Sequence, residues 1–242
     1  MTKFYAIADI HLSFGKPKDM SRFGEKWANH TERLANAWRE RISAEDVVLL
    51  PGDVSWAQTS SKIMPDLAWL SMLPGRKILL RGNHDHWWKD IRTARQLARL
   101  YGMEALEGDS VTIEGVTVCG AMGHVAPNDP YFVEDEKKDR FSRELGRLTD
   151  ALTHAALHRP EGGPILLMTH YPPFTSQGER TAYADVIARF QPALALYGHL
   201  HHEKEWAVAK QGLHEGVHYR LVAADYLDMM PVQVWPLEEG AE

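Results

Sequence analysis

RKILLRGNHDHWW, residues 76–88, sets an apolar run against a glycine and a burst of polar, metal-seeking side chains. The first five residues read as a buried strand. Asn83, His84 and Asp85 then follow the strand end directly, behind Gly82. Working outward, the same grammar recurs. Residues 3–8 (KFYAIA), 46–50 (DVVLL), 116–121 (VTVCGA), 164–169 (PILLMT) and 193–197 (ALALY) are further short apolar runs of the kind that fills a sheet covered on both faces. Between them lie amphipathic stretches. Residues 25–42 place Trp27, Leu34, Trp38 and Ile42 on roughly one helical face, and other helices are expected near 62–73, 89–101, 142–157 and 182–190. Alternating strands and helices define an α/β fold. Beyond His202 the pattern predicts short strands at 205–210, 219–224 and 231–235. No repeat or flexible linker divides the chain, so one domain is expected over 1–236, with 237–242 as a loose acidic tail. Residues 123–145 read as a long, charged loop that runs into a helix start, either a lid or binding loop or a solvated excursion.

Composition narrows the class. The 242 residues are 44% hydrophobic and 25% charged, ordinary for a globular chain. A net charge of −6 weighs against a generally basic nucleic-acid surface, though not against a local basic groove. The single cysteine, Cys119, lies in an apolar strand and reads as a packed thiol. No signal-peptide pattern opens the chain, and no apolar run reaches the roughly 20 residues that span a bilayer. The expectation is a cytoplasmic protein without a membrane partner.

Five short stretches carry the chemistry, each just after an expected strand. They supply Asp9 and His11 (ADIHL), Asp53 (PGDVSW), Asn83 and His84 (RGNHDH), His170 (MTHYPP), and His199 and His201 (YGHLHH). Loops at the carboxyl ends of strands converge in such sheets, so residues far apart in the chain can meet there. Oxygen and imidazole donors without a thiolate suit manganese, iron, zinc or cobalt. A glycine precedes Asp53, Asn83 and His199, where tight turns and close backbone approach would need one.

In its order of motifs the chain resembles the calcineurin-like metallophosphoesterase superfamily, whose pattern is D-x-H, G-D, G-N-H-[DE], H and G-H-x-H. Every element is present between residues 9 and 201. The resemblance implies a four-layer sandwich of two mixed sheets, each covered by helices. It also implies two divalent or trivalent ions, with manganese, iron or zinc foremost. Asp9, His11, Asp53 and His201 would hold one ion; Asn83, His170 and His199 the other; and Asp53 would bridge them. A water or hydroxide between the ions would attack a small phosphomonoester or phosphodiester. The formal charge of such a centre is slightly positive and draws a phosphate anion even in an acidic protein. The resemblance gives His84 the task of stabilising phosphoryl charge or protonating the leaving group. Asp85 is expected to orient His84 and favour its protonated form.

Departures refine the expectation. GDVSWAQ lacks the arginine of the longer G-D-x-V-D-R-G pattern found in members that act on phosphoserine and phosphothreonine in proteins. A nuclease or a non-catalytic metal-binding scaffold of the same fold are the alternatives; the first would want a basic groove, the second missing ligands. Trp56, Trp87 and Trp88 follow the motifs as core packing or as an aromatic wall. Arg140 and Arg143 are either a solvated charge run or a phosphate clamp. His86, His124 and His202 fall under no motif.

Overall fold

The structure, a computed structural model, describes residues 2–133 and 135–237. Two mixed sheets form its centre. In the first, β1 (Phe4–Ala6), β2 (Val47–Pro51), β3 (Arg76–Leu80) and β4 (Glu104–Leu106) run parallel, and β11 (Val232–Trp235) closes the β1 edge antiparallel. In the second, β6 (Val116–Ala121), β7 (Ile165–Thr169), β8 (Leu194–Tyr197) and β10 (Val217–Leu221) are parallel. The antiparallel edges of that sheet are β5 (Asp109–Ile113) and β9 (Gly212–His214).

Alternation of side chains along each strand builds the layers. Val47 and Leu49 of β2 pack with Leu166 and Met168 of β7 in a core between the sheets. Val48 and Leu50 point the other way, onto helices α1 (His30–Arg41) and α2 (Ser60–Ser71) through Leu34, Trp38, Ile63 and Leu67. On the opposite outer face, Leu167 and Ala195 meet α4 (Asp135–His158) and α5 (Ala182–Phe190) through Leu148, Leu152 and Ile187. The result is the expected helix–sheet–sheet–helix sandwich. Helix α3 (Ile91–Leu100) completes the first helical layer with Ala94 and Ala98.

Near the carboxyl ends of their strands the sheets touch. Ala8, just past β1, bridges Ala223, just past β10, through Ala8 N–H to Val222 O (2.7 Å) and Ala224 N–H to Ala8 O (2.9 Å). No helix among the described residues is long and apolar enough to cross a membrane.

Several expectations need correction. The charged run that was expected to extend a loop to about 142 is already helical from residue 135, since α4 spans Asp135–His158. Phe141, Leu145, Leu148 and Leu152 provide the apolar stripe on which it packs. The strand expected at 205–210 is instead the short helix α6 (Glu203–Trp206) followed by turns. Its local driver is Glu205, whose Oε2 accepts from the His201 and His202 amides at 3.1 and 3.0 Å. Strands β4, β5 and β9 fell outside the apolar pattern because they are short or half-exposed edge pieces. Trp27, Leu34, Trp38 and Ile42 are all buried, as the helical face requires, although Trp27 sits in a 3-10 turn ahead of α1. Within the tail expected at 237–242, residues 238–242 lie outside the described residues.

Candidate metal centre

The loops that leave β1, β2, β3, β7 and β8 lock onto one another before any side chain is considered. Asp9 N–H donates to Gly52 O (3.0 Å), His11 N–H to Asp53 O (3.1 Å) and Gly198 N–H to His170 O (3.1 Å). Side chains tie them further. His84 N–H donates to Asp53 Oδ1 (2.8 Å), and His199 N–H donates to Asp9 Oδ2 (2.9 Å). Asp9, His11, Asp53 and His199 all adopt left-handed backbone, with φ of 57°, 44°, 52° and 72°. Such conformations cost L-residues of the order of 1 kcal/mol and gather where surrounding structure enforces them. Here they turn consecutive side chains away from the strand direction and into a common space.

All seven expected ligands meet there. His11 Nε2 lies 3.7 Å from Asp53 Oδ2, and His170 Nε2 lies 3.5 Å from the same oxygen. Asp9 Oδ1 is 3.9 Å from His170 Nδ1 and 3.6 Å from His201 Nε2. Asn83 Oδ1 is 2.7 Å from His170 Nε2, and the His199 ring centroid is 5.1 Å from that of His170. Two triads, Asp9–His11–His201 and Asp9–Asp53–His170, bring their donor atoms within 4.8 Å of one another.

A cation suits this arrangement. Asp9 Oδ1 and Asp53 Oδ2 are buried and receive no hydrogen bond among the described residues. Buried oxygens of this kind carry a desolvation penalty of about 1–3 kcal/mol unless something positive meets them. His170 points the same way. Its Nδ1 donates to the Pro51 carbonyl (3.0 Å), and its Nε2 lies 2.7 Å from Asn83 Oδ1 and 3.5 Å from Asp53 Oδ2. That places an imidazole nitrogen, an amide oxygen and a carboxylate oxygen around one point, a donor set that suits a cation.

Electrostatics divide the two carboxylates. For Asp9, burial raises the carboxyl, but the neighbouring His201 and His170 imidazoles outweigh it and hold the group well below its usual range. Asp53 is raised, first by burial, against His170 and with repulsion from Asp9 and Asp85. His201 is shifted the other way. Burial disfavours its charge, yet the hydrogen bonds to Asp225 and the nearby Asp9 carboxylate hold the imidazolium up to about 11. Burial pushes His199 down to about 3 and His11 well below its ordinary value.

Asp225 escaped the sequence reading. Its carboxylate accepts from His201 Nδ1 at 3.1 and 3.2 Å, which leaves Nε2 free to face Asp9. Outer partners of this type fix the tautomer and orientation of a ligating histidine. No motif marks Asp225, and only the meeting of β10 with β1 places it there.

Asp85 has a different role from the one expected. Its buried carboxylate accepts from Gly82 N–H (2.9 Å), Ser55 N–H (3.1 Å), Val54 N–H (3.3 Å) and Trp87 Nε1 (2.9 Å). Those donors consume its oxygens, so it clamps the β2 and β3 loops together and makes no hydrogen bond to the His84 ring. Burial also lowers His84 to about 4, so its surroundings favour the neutral ring over the charged form expected from an Asp85 partner.

The walls of the site are aromatic. Trp56 stacks on His11 (4.8 Å between centroids, 18°) and lies 4.4 Å from His84, so it forms part of the expected aromatic wall. Lys18 covers Trp56 with its ammonium 2.8 Å from the ring centroid. Trp87 and Trp88 are instead fully buried core residues. Arg143 pairs with Asp139 on the exposed face of α4 at 3.2 Å, and Arg140 is also exposed, in keeping with a solvated charge run. His86 and His202 are exposed, and His124 is buried beside Tyr171. Cys119 is buried, and burial raises its thiol well above its usual range.

Comparison with known proteins gives an independent result. A family model described as calcineurin-like phosphoesterase matches residues 2–203. Gene 66 protein of Mycobacterium phage L5 is 26% identical over 212 residues, covering 84% of this chain and 98% of that protein. Gene 66 protein of Mycobacterium phage D29 is 36% identical over 103 residues, 42% of this chain. The match spans about half (49%) of the D29 protein's length. Among solved structures, phosphopantetheinyl hydrolase PptH from Mycobacterium tuberculosis has a TM-score of 0.61 at 17% identity, over 100% of this chain and 98% of that one. A likeness at that identity establishes a shared fold.

Proposed function

Because the chain belongs to the calcineurin-like phosphoesterase family, we propose that it hydrolyses a small phosphomonoester or phosphodiester with the help of two metal ions. One observation carries the reading. The buried, donorless oxygens of Asp9 and Asp53 face the imidazoles of His11, His170 and His201.

Asp9, His11, Asp53 and His201 would hold one ion, and Asn83, His170 and His199 the other, with Asp53 shared. When bound, such ions supply Lewis-acid polarisation of the phosphoryl oxygens and lower the pKa of an attacking water. The donor set fits manganese, iron or zinc. The remaining work falls to the chain. Asp85 keeps the β2 and β3 loops in register through its amide contacts. His84 has no hydrogen bond to its ring among the described residues, and it stands 5.6 Å from the His11 ring. Its nitrogens are therefore available to a phosphoryl or leaving-group oxygen.

The test pairs metal analysis with three chromogenic esters. Metal-loaded protein is expected to cleave p-nitrophenyl phosphate or bis-p-nitrophenyl phosphate and to leave p-nitrophenyl acetate untouched. His84→Ala should lower kcat by about 10²–10⁴-fold while metal content stays near two ions per chain. Bound metal without cleavage of either phosphate ester would overturn the enzymatic reading, and loss of metal in His84→Ala would overturn its division of labour.

A further inference from the structure

Beside the metal centre lies a cavity of about 200 Å³ that shares His199 with it and is lined by Tyr171. Its outer wall is the loop ahead of α4, through Asp129 and Tyr131; its inner wall is the loop after β7, through Phe174; and Glu205 of α6 closes one side. An ester whose phosphorus occupied the metal centre would send one arm into this space.

Asp129 and Glu205 are the acids of the lining, His124 and His199 its imidazoles, and neither lysine nor arginine lines the cavity among the described residues. Asp129 is committed to the loop, accepting from Tyr131 N–H (2.8 Å), Ser176 Oγ (3.2 Å) and Ser176 N–H. Glu205 binds backbone through Oε2 alone, so its Oε1 receives no hydrogen bond from a described residue. Aromatic faces supply the rest. Tyr171 lies over His199 at 4.1 Å between centroids, and Tyr131, 74% exposed, stands at the mouth with its ring largely uncovered. Arg140 is close enough to Tyr171 to favour its ionised form, but it does not line the cavity.

Carboxylate oxygen and an uncovered aromatic face together recognise a cation. Resting on the phosphoesterase reading above, we infer that this cavity binds an ester arm ending in an ammonium group, held by Glu205 and the ring of Tyr131, with Tyr171 as a packed wall. A neutral arm of the same shape would fill the space and lose that attraction, and an anionic arm would be repelled by both acids.

The test compares p-nitrophenyl phosphorylcholine with p-nitrophenyl 3,3-dimethylbutyl phosphate. The two share leaving group, phosphate charge and shape, and differ by a cationic nitrogen in place of carbon. Wild-type protein should favour the cationic ester in kcat/KM by about fivefold or more. That ratio, taken within each variant, should fall toward unity in Tyr131→Ala and in Glu205→Gln, whatever happens to absolute rates. Parity in the wild type, or a ratio that both variants preserve, would overturn the inference. If neither ester is cleaved, diester hydrolysis falls, and cleavage of p-nitrophenyl phosphate shows separately whether the phosphoesterase reading falls with it. Calorimetric binding of phosphorylcholine against 3,3-dimethylbutyl phosphate then decides the cavity by the same ratio.

Discussion

Gly82 and Gly198 leave no room for a methyl group. A Cβ on Gly82 would collide with Asp53 Oδ1 and the Asp53 amide, and one on Gly198 would collide with Asp9 Oδ2. Each glycine is thus a seat for a carboxylate. Gly82→Ala and Gly198→Ala should weaken metal binding by about tenfold or more without removing a ligand, a loss that equilibrium dialysis would register. Asp225 is as exposed to test. Asp225→Asn should cost about 10–100-fold in metal affinity through a loosened His201. It also bears on pH. In the metal-free protein His201 keeps its proton up to about 11, against an ordinary value of 6.5. The stabilisation from that imidazolium is complete below pH 6.5 and is lost as pH rises through about 11. A metal must expel the proton, so affinity rises with pH across the neutral range. Calorimetry in buffers of different ionisation enthalpy should find proton release on binding; heats independent of buffer would refute it. At this scale the sequence was informative wherever spacing and residue type coincide, as with Asp9-x-His11 or His199-x-His201. It was silent on Asp225 and misleading on Asp85, because hydrogen-bond partners are chosen in space.

Strand β3 carries a lysine where an apolar residue would be expected. Lys77 is 4% exposed, and its ammonium donates to the Leu73 carbonyl. Burial lowers it to about 8 from 10.5. The sign follows from proton counting. Below pH 8 the group is charged in both states, and the folded protein carries the full penalty of an enclosed charge. Between pH 8 and 10.5 the folded form sheds its proton first, so stability from this group increases with pH. Lys77→Met should therefore stabilise the protein by about 1–2 kcal/mol at pH 7, an advantage that fades toward pH 10.5. Urea unfolding at pH 7 and pH 10 would measure it, and equal gains at both would contradict the burial account. Elements with a clean period were readable in advance: β3, β6 and α5 fall where the apolar pattern puts them. The start of α4 was not, since a run of charges hides the helical stripe that only Phe141 and Leu145 begin.

For the molecule as a whole, the partition into two sheets was invisible to periodicity. Strands buried on both faces read as uniform apolar runs, whichever sheet they join. The resemblance to a known family supplied that knowledge, and the three separate apolar clusters now account for it physically. Because the sheets meet at Ala8 and Ala223, the donor set is split between them. Asp9, His11, Asp53 and Asn83 follow strands of the first sheet, and His170, His199 and His201 follow strands of the second. Any ion held by both groups would act as a rivet through the seam, so that neither half could melt without releasing it. At free metal of about a hundred times Kd the gain would be ~2.7 kcal/mol. For a chain of this size that corresponds to roughly 5–10 °C in Tm. Stripping metal with a chelator should lower the melting temperature by that amount while keeping a single transition, and an unchanged Tm would mean that the two halves are fastened by their own packing alone.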